Sequence, residues 1–234
     1  MTALPQVDDV NVEVKDFVAV VEIARPPHNF FDFALIGNLA TIFEALQERA
    51  DCRAIVLCAQ GKSFCAGANF GDGSDAAVQG AAVGGGLGLA LVADFRVACP
   101  EARFVANFTR LGFHPGFGLT TTLAEVIGPT KAALMFYTSR RIKGDEALEM
   151  GLADVLVPQD QVRGAAVALA REIAENSPLG VVATRATMRA GLAERVKAAT
   201  DHELELQDKL RATEDFKEGV KAMAERRLPD FQGR

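Results

Sequence analysis

A short and almost entirely apolar segment at residues 53–59 constrains the fold of this chain more than any other feature. Strands of that composition are typical of parallel sheets that are covered on both faces. The segment is preceded by a predicted helix over residues 34–49, in which apolar side chains recur at spacings of three and four. Before that helix, a β-rich segment at residues 17–24 ends at an Arg-Pro-Pro sequence, where a strand cannot continue. Strand, helix and strand in this order predict an α/β fold.

The rest of the chain changes from strands to helices. A buried helix that opens with a glycine run is predicted over residues 80–93, and short strands are predicted at residues 95–99 and 102–106. Beyond residue 120 the pattern is mostly helical, with one strand at residues 155–158. The predicted helices of this part cover residues 123–127, 131–137, 145–150, 162–175, 181–198 and 201–226.

Composition and charge exclude several classes of protein. The 234 residues are 49% apolar and contain no run of about 18 apolar residues, so we expect one large globular domain that neither spans a membrane nor carries an export signal. The net charge of −6 argues against a nucleic-acid binder, which needs a basic face. Since the cysteines form no Cys-x-x-Cys pair, we expect reduced thiols in the cytoplasm rather than disulfides or a metal site. They are Cys52, Cys58, Cys65 and Cys99.

Two segments rich in glycine and alanine, residues 63–70 and 77–88, are the candidates for chemistry. Glycine has no side chain and alanine has only a methyl group, so a ligand can approach the backbone amides of these segments closely. The run Gly84-Gly85-Gly86 opens the predicted buried helix, and the first amides of a helix are unpaired and lie at the positive end of its dipole. Such amides can form an anion or oxyanion site. Alternatively, these glycines only permit tight packing of helix and strand, and the glycine run alone leaves both interpretations open.

The glycine run does not match the fingerprints of nucleotide-binding proteins. A dinucleotide-binding Gly-x-Gly-x-x-Gly motif requires a third glycine where this chain has Leu89 or Leu91, and no acidic residue follows at the expected distance. A phosphate-binding P-loop requires a Gly-Lys-Ser/Thr sequence, which does not follow the run. A nicotinamide-dependent oxidoreductase is therefore disfavoured.

The two segments together resemble one known family. Residues 64–69 (Phe-Cys-Ala-Gly-Ala-Asn) are similar to the Phe-Cys-Ala-Gly-Ala-Asp segment of the crotonase, or enoyl-CoA hydratase/isomerase, superfamily, and residues 77–96 resemble its Ala-Val-Asn-Gly, Gly-Gly-Gly and Ala-x-Asp block. Further blocks follow in the family's order at residues 112–118, 128–132, 138–142, 146–154 and 214–219. The resemblance implies an α/β fold with a crotonase-like ββα spiral core, which holds the acyl-CoA site, over residues 1–160. It also implies a C-terminal helical trimerisation region over residues 161–234.

The resemblance also implies which residues form the site. The backbone amides of Ala68 and Gly85 would form an oxyanion hole for the thioester carbonyl, and His114 is a further catalytic candidate because its loop carries catalytic groups in several branches and its side chain can titrate near neutrality. The implied substrate-binding residues are Ala66, Asn69, Phe70, Gly71, Gly84, Phe108 and Phe113. Coenzyme A is part of the substrate, so neither a separate cofactor nor a metal is expected. The implied assembly is a homotrimer or a dimer of trimers.

The chain departs from the family at both positions where hydratases carry a catalytic glutamate. Hydration of an enoyl thioester needs one group to activate water and one to protonate the α-carbon. Gly88 and Phe108 stand at those two positions. The reaction therefore stays open between hydratase, isomerase and thioester hydrolase. An alternative is a catalytically inactive homologue that binds acyl-CoA or serves in assembly.

The connection between the two glycine-rich segments is unusually short. If residues 53–59 and 76–83 were strands of one parallel sheet, the chain between them would need a crossover of about a dozen residues or more, usually with a helix. The loop-like residues 61–75 offer no helix. The family has a longer stretch at this point, so we expect a segment to be missing or deleted between Asp72 and Ala77.

Overall fold

The computed structural model describes residues 3–67 and 80–234. Among these residues the strands are β1 (Val10–Lys15), β2 (Val18–Ile23), β3 (Ala54–Ala59), β4 (Ala81–Val83), β5 (Val97–Ala98), β6 (Arg103–Val105), β7 (Arg141–Lys143) and β8 (Val155–Leu156). The helices are α1 (Phe33–Gln47), α2 (Gly85–Ala90), α3 (Leu119–Ile127), α4 (Pro129–Thr138), α5 (Gly144–Met150), α6 (Val162–Ala174), α7 (Pro178–Met188), α8 (Leu192–Arg211) and α9 (Glu214–Ala224). None of these helices combines the length and the apolar character that crossing a membrane requires.

The first sheet confirms the strand–helix–strand prediction. Its order is β1-β2-β3, with β1 antiparallel and β3 parallel to β2. The apolar face of α1 packs on one side of this sheet, and α6 packs on the other side. The most thoroughly buried strand is the central β2. Strand β3 takes part on both faces, with Leu57 and Ala59 in the α1 cluster and Ala54 and Val56 in the α6 cluster. The expectation that residues 53–59 are covered on both faces therefore holds except at Ile55, which is 41% exposed.

The second sheet contains the strand that leads into the glycine run. Its order is β4-β6-β7, with β6 parallel to β4 and antiparallel to β7, while β5 and β8 form a separate parallel pair. Cys65, in the loop after β3, forms a parallel bridge with Ala82 of β4. Within the described residues β3 and β4 belong to different sheets, whereas the prediction treated them as strands of one sheet. The suspected gap between Asp72 and Ala77 lies outside the described residues.

The C-terminal region has more helix ends than the sequence pattern predicted. The helices expected over residues 181–198 and 201–226 are instead α7, α8 and α9. Gly191, with φ of 73°, separates α7 from α8. Thr213 precedes α9, and its hydroxyl accepts a hydrogen bond from the Phe216 amide. Both breaks interrupt apolar periodicity only briefly, which is why the pattern missed them.

The C-terminal helices pack against the segments that follow β6. Gly219 of α9 lies directly on the 3₁₀ turn at Thr109–Leu111, and a Cβ at Gly219 would lie 2.5 Å from the Leu111 carbonyl carbon. Helix α8 packs against α3. The main apolar core lies among α2, α3, α4, α5 and the second sheet. The end of the chain thus supports the same loops that surround the glycine run.

None of the four cysteines forms a disulfide in the structure. Burial raises the pKa of the Cys65 thiol to about 11. It raises the pKa of the Cys58 thiol to about 11 as well. Both groups are therefore neutral thiols at physiological pH, and such thiols are poor nucleophiles.

Replacement of Gly86 by alanine tests the packing of α2 on the loop at Cys65. A Cβ at Gly86 would overlap the Cys65 carbonyl oxygen, whereas a Cβ at the exposed Gly37 of α1 would meet no atom within 4 Å. We expect Gly86→Ala to lower the free energy of unfolding by about 1–3 kcal/mol. Gly37→Ala should raise it by about 0.5–1 kcal/mol. Urea denaturation measures both changes, and equal effects would contradict the described packing.

Candidate active site

The glycine run forms the junction between β4 and the buried helix α2. Gly84 precedes the helix with φ of 54° and ψ of −121°, a conformation that glycine adopts without a steric penalty. Its own amide donates to the Val105 carbonyl at 2.8 Å. Gly85 is the first residue of the helix, so its amide has no intrahelical partner. Within the described part of the chain, no other group accepts a hydrogen bond from it.

The segment that leads to Ala68 lies against the end of β4. The Gly67 carbonyl accepts a hydrogen bond from the Phe31 amide at 3.1 Å, and the Ala66 amide donates to the His28 carbonyl at 3.0 Å. A Cβ at Gly67 would lie 2.9 Å from the Val83 carbonyl oxygen, so the two backbones are in close contact there. The second predicted oxyanion amide, Ala68, lies outside the described residues. The same is true of Asn69, Phe70 and Gly71.

Two aromatic rings cover the face of α2 on which Gly85 and Gly88 lie. A Cβ at Gly85 would overlap the ring of Phe31. A Cβ at Gly88 would lie 2.6 Å from Cδ1 of Phe117. The centroids of the Phe31 and Phe117 rings are 5.6 Å apart in an edge-to-face arrangement. The space that a glutamate at position 88 would need is therefore filled by an aromatic ring.

Phe108 adds a third ring beside the glycine run. It is 7% exposed, and its Cζ lies 3.6 Å from the position of a Cβ at Gly84. The Phe113 ring packs edge-to-face on Phe108, with centroids 5.5 Å apart, and also on Phe216 of α9. Phe113 therefore lies behind Phe108, between it and the C-terminal helix.

Asn107 is a polar side chain close to the glycine run. The Oδ1 atom of Asn107 lies 3.4 Å from the position of a Cβ at Gly84. Among the described residues, the three atoms nearest to a Cβ at positions 84, 85 and 88 belong to Asn107 and to phenylalanines. No carboxylate is among them. Within the described residues, the surroundings of the Gly85 amide are thus mostly apolar.

His114 lies in the loop that carries Phe117. Its Nδ1 lies 2.8 Å from the Pro115 carbonyl oxygen, and because a carbonyl only accepts, Nδ1 is the protonated nitrogen of this contact. The His114 carbonyl accepts a hydrogen bond from Gln207 of α8 at 3.0 Å. Glu125 of α3 forms an exposed ion pair with Arg195 at 2.7 Å, so its carboxylate lies on a solvated helix face.

Sequence reasoning missed Phe31 and Phe117. Phe31 follows a loop far from the glycine run in sequence, and no local pattern links the two. Phe117 has a backbone φ of 67°, which is uncommon for a large side chain, so its ring direction could not be inferred from the sequence. The only available signal was the glycine-rich character of residues 112–118, which indicated an irregular loop.

Comparison with known proteins identifies the family. The model of the enoyl-CoA hydratase/isomerase family matches residues 13–75 and 76–234. The chain belongs to this family. It is 32% identical to a probable enoyl-CoA hydratase of Rhodobacter capsulatus over 254 aligned residues, which cover 96% of this chain and 98% of the relative. It is also 32% identical to the (E)-benzylidenesuccinyl-CoA hydratase of Thauera aromatica, with 96% and 99% covered.

Solved structures of the family show the same fold. An enoyl-CoA hydratase/isomerase from Pseudoalteromonas atlantica matches with a TM-score of 0.86 at 27% identity, and the match covers 96% of this chain and 100% of that structure. The expected crotonase fold is confirmed. The family model splits between Asp75 and Ala76, and the alignment with the Rhodobacter relative is longer than the 234 residues of this chain. The Rhodobacter relative thus has residues that this chain lacks, and their place between Asp72 and Ala77 stays a prediction.

The packing of Phe117 on Gly88 predicts a coupled pair of substitutions. Gly88→Ala should lower the free energy of unfolding by about 1–3 kcal/mol, because its methyl group meets the Phe117 ring. The Phe117→Ala background removes Cδ1 and Cγ of the ring, which lie 2.6 and 2.9 Å from the position of a Cβ at Gly88. In that background Gly88→Ala should cost about 1 kcal/mol less. Chemical denaturation of the four proteins measures the coupling. Gly37→Ala is the control and should act alike in both backgrounds, while strict additivity of the pair at positions 88 and 117 would contradict the contact.

Proposed function

We propose that this chain is an enzyme that acts on a coenzyme A thioester and stabilises the enolate or oxyanion that forms at the thioester carbonyl. The observation that carries this proposal is the Gly85 amide, which opens a buried helix and lacks an acceptor within the described residues. Such a donor stabilises developing negative charge strongly because apolar surroundings exclude water. The rings of Phe31, Phe108 and Phe117 provide those surroundings. In this proposal Ala68 supplies the second amide.

The reaction differs from hydration by two glutamates. Relatives that match over nearly the full chain are named hydratases, which supports a hydratase-like activity. The positions of the two family glutamates hold Gly88 and Phe108, however, and the space at Gly88 is filled by Phe117. In this proposal the proton transfers come from water, from the substrate or from another group such as His114. Isomerisation and thioester hydrolysis remain within the proposal on the same grounds.

The experiment is a substrate panel assayed with the purified protein. The panel contains enoyl-, 3-enoyl-, malonyl- and aryl-CoA thioesters and is monitored at the absorbances of the thioester and the conjugated double bond. Turnover of any member supports the enzyme and identifies its reaction. Binding of these thioesters without turnover would overturn the catalytic proposal in favour of an inactive acyl-CoA-binding homologue.

The family resemblance also leads us to propose a homotrimer or a dimer of trimers. The apolar residues Val162, Leu169 and Ile173 of α6 do not support this, because they are half-buried within the chain. Helix α7 supports it better, since Leu179 and Met188 are 82% and 81% exposed. Light scattering at micromolar concentration tests the assembly, and a monomer would contradict it. The absence of disulfides among the four cysteines favours a reducing compartment such as the cytoplasm.

Removal of the Gly85 amide tests the oxyanion role. Gly85→Pro deletes the donor, but any side chain at this position also displaces the Phe31 ring. The substitutions are therefore compared in a Phe31→Ala background. There, Gly85→Pro should lower kcat by about 10²–10³-fold relative to Gly85→Ala, which retains the N–H. Proline is well tolerated at the first position of a helix, so the fold should persist. Equal kcat values for the two variants would contradict the role of the amide.

A further inference from the structure

Helix α8 carries two buried polar side chains one turn apart. Glu203 is 2% exposed and Gln207 is 8% exposed. A carboxylate or an amide is costly to bury unless its hydrogen bonds are satisfied. Most of the rest of α8 is exposed, so the burial of these two side chains indicates specific hydrogen-bond partners.

Glu203 binds the beginning of α3. One carboxylate oxygen accepts a hydrogen bond from the Gly118 amide at 2.7 Å. The other accepts from the Thr120 amide at 3.0 Å and from the Thr120 hydroxyl at 2.6 Å. Gly118, the residue before α3, has no side chain to satisfy these amides itself. A carboxylate from a distant helix therefore caps α3, at the end where the helix dipole favours negative charge.

Gln207 binds the other end of the same loop. Its Nε2 donates to the His114 carbonyl at 3.0 Å, and its Oε1 accepts from Arg211 at 3.2 Å. A Cβ at Gly116 would overlap the Gln207 amide, so the loop backbone lies directly against this side chain. Glu203 and Gln207 together hold the loop on both sides of Phe117.

Phe117 is the residue that depends most on these anchors. Its φ of 67° is unfavourable for a large side chain and persists only where the surroundings fix the backbone. In this conformation the ring lies against Gly88 and meets the edge of Phe31, which covers Gly85. A connected path of contacts therefore runs from α8 through the loop to the unpaired amide.

We propose that Glu203 and Gln207 are positioning residues, a clamp by which α8 fixes Phe117 in the acyl-CoA site. They touch the loop backbone rather than the substrate. The consequence of the clamp for turnover rests on the proposed function. The clamp itself does not, and it can be measured separately.

Hydrogen exchange measures the clamp without reference to activity. In Glu203→Gln the new NH₂ group faces a backbone N–H, so one of the two anchored amides loses its acceptor. Amide hydrogen exchange in peptides covering residues 112–120 should become about tenfold faster than in the wild-type protein. Thr120→Val removes only the hydroxyl bond and should give a smaller change in the same direction.

The matched control is Glu205→Gln, which makes the same substitution two residues along α8 at a side chain that is 61% exposed and paired with Lys209. Its exchange should equal that of the unchanged protein. Unchanged exchange in Glu203→Gln, or an equal increase in both variants, would overturn the clamp.

Kinetics with the thioester that the protein turns over measures the effect on the site. Glu203→Gln should lower kcat by about tenfold with a smaller change in KM. In a Phe117→Ala background the same substitution should lower kcat no further, although it should still lower the melting temperature. A full loss of kcat in both backgrounds would show that Glu203 acts only through general stability and would overturn the positioning role. Absence of any turnover in the unchanged protein would refute the proposed function and leave the exchange result to decide the clamp.

Discussion

The contact between the backbone at Cys65 and the first turn of α2 is the constraint on which the rest of the structure depends. A Cβ at Gly86 would overlap the Cys65 carbonyl, so the helix can approach this loop only where side chains are missing. Cys65 also bridges Ala82 of β4, which fixes the end of the strand from which α2 begins. The direction of the Gly85 amide follows from these two contacts. The rings of Phe31 and Phe117 then pack on a helix face whose position is already set.

Local pattern was sufficient for the elements whose neighbours are close in sequence. The spacing of apolar residues predicted α1, and apolar or β-rich composition predicted β2 and β3. Strand β1 was missed although Val10, Val12 and Val14 alternate with polar residues, which was a usable signal. Strand β7 has three residues and exists through its pairing with β6, so its own sequence carries little information. The exposure of Ile55 on β3 depends on what packs across the sheet, and that is a tertiary property.

The residues of the candidate site likewise divide into those that the sequence could indicate and those that it could not. Gly84, Gly85 and Phe108 could be named from resemblance, because motifs record positions that a fold uses repeatedly. Phe31, Phe117 and Glu203 could not, because each acts through a contact between segments that are distant in sequence. The covering of Gly88 by Phe117 depends on an uncommon backbone conformation, which in turn depends on hydrogen bonds from α8. The roles of Ala68 and Asn69 stay predictions, since both lie outside the described residues.

The packing of the Phe117 ring on Gly88 also constrains how the sequence can evolve. A glutamate introduced at position 88 would meet the ring, and a smaller residue at position 117 would leave part of the apolar enclosure empty. Each single step is therefore unfavourable, and only the two together would produce a carboxylate site. The order in which mutations arise then matters as much as their final combination. A chain with this packing is held away from two-glutamate chemistry by its core as well as by the residue it lacks.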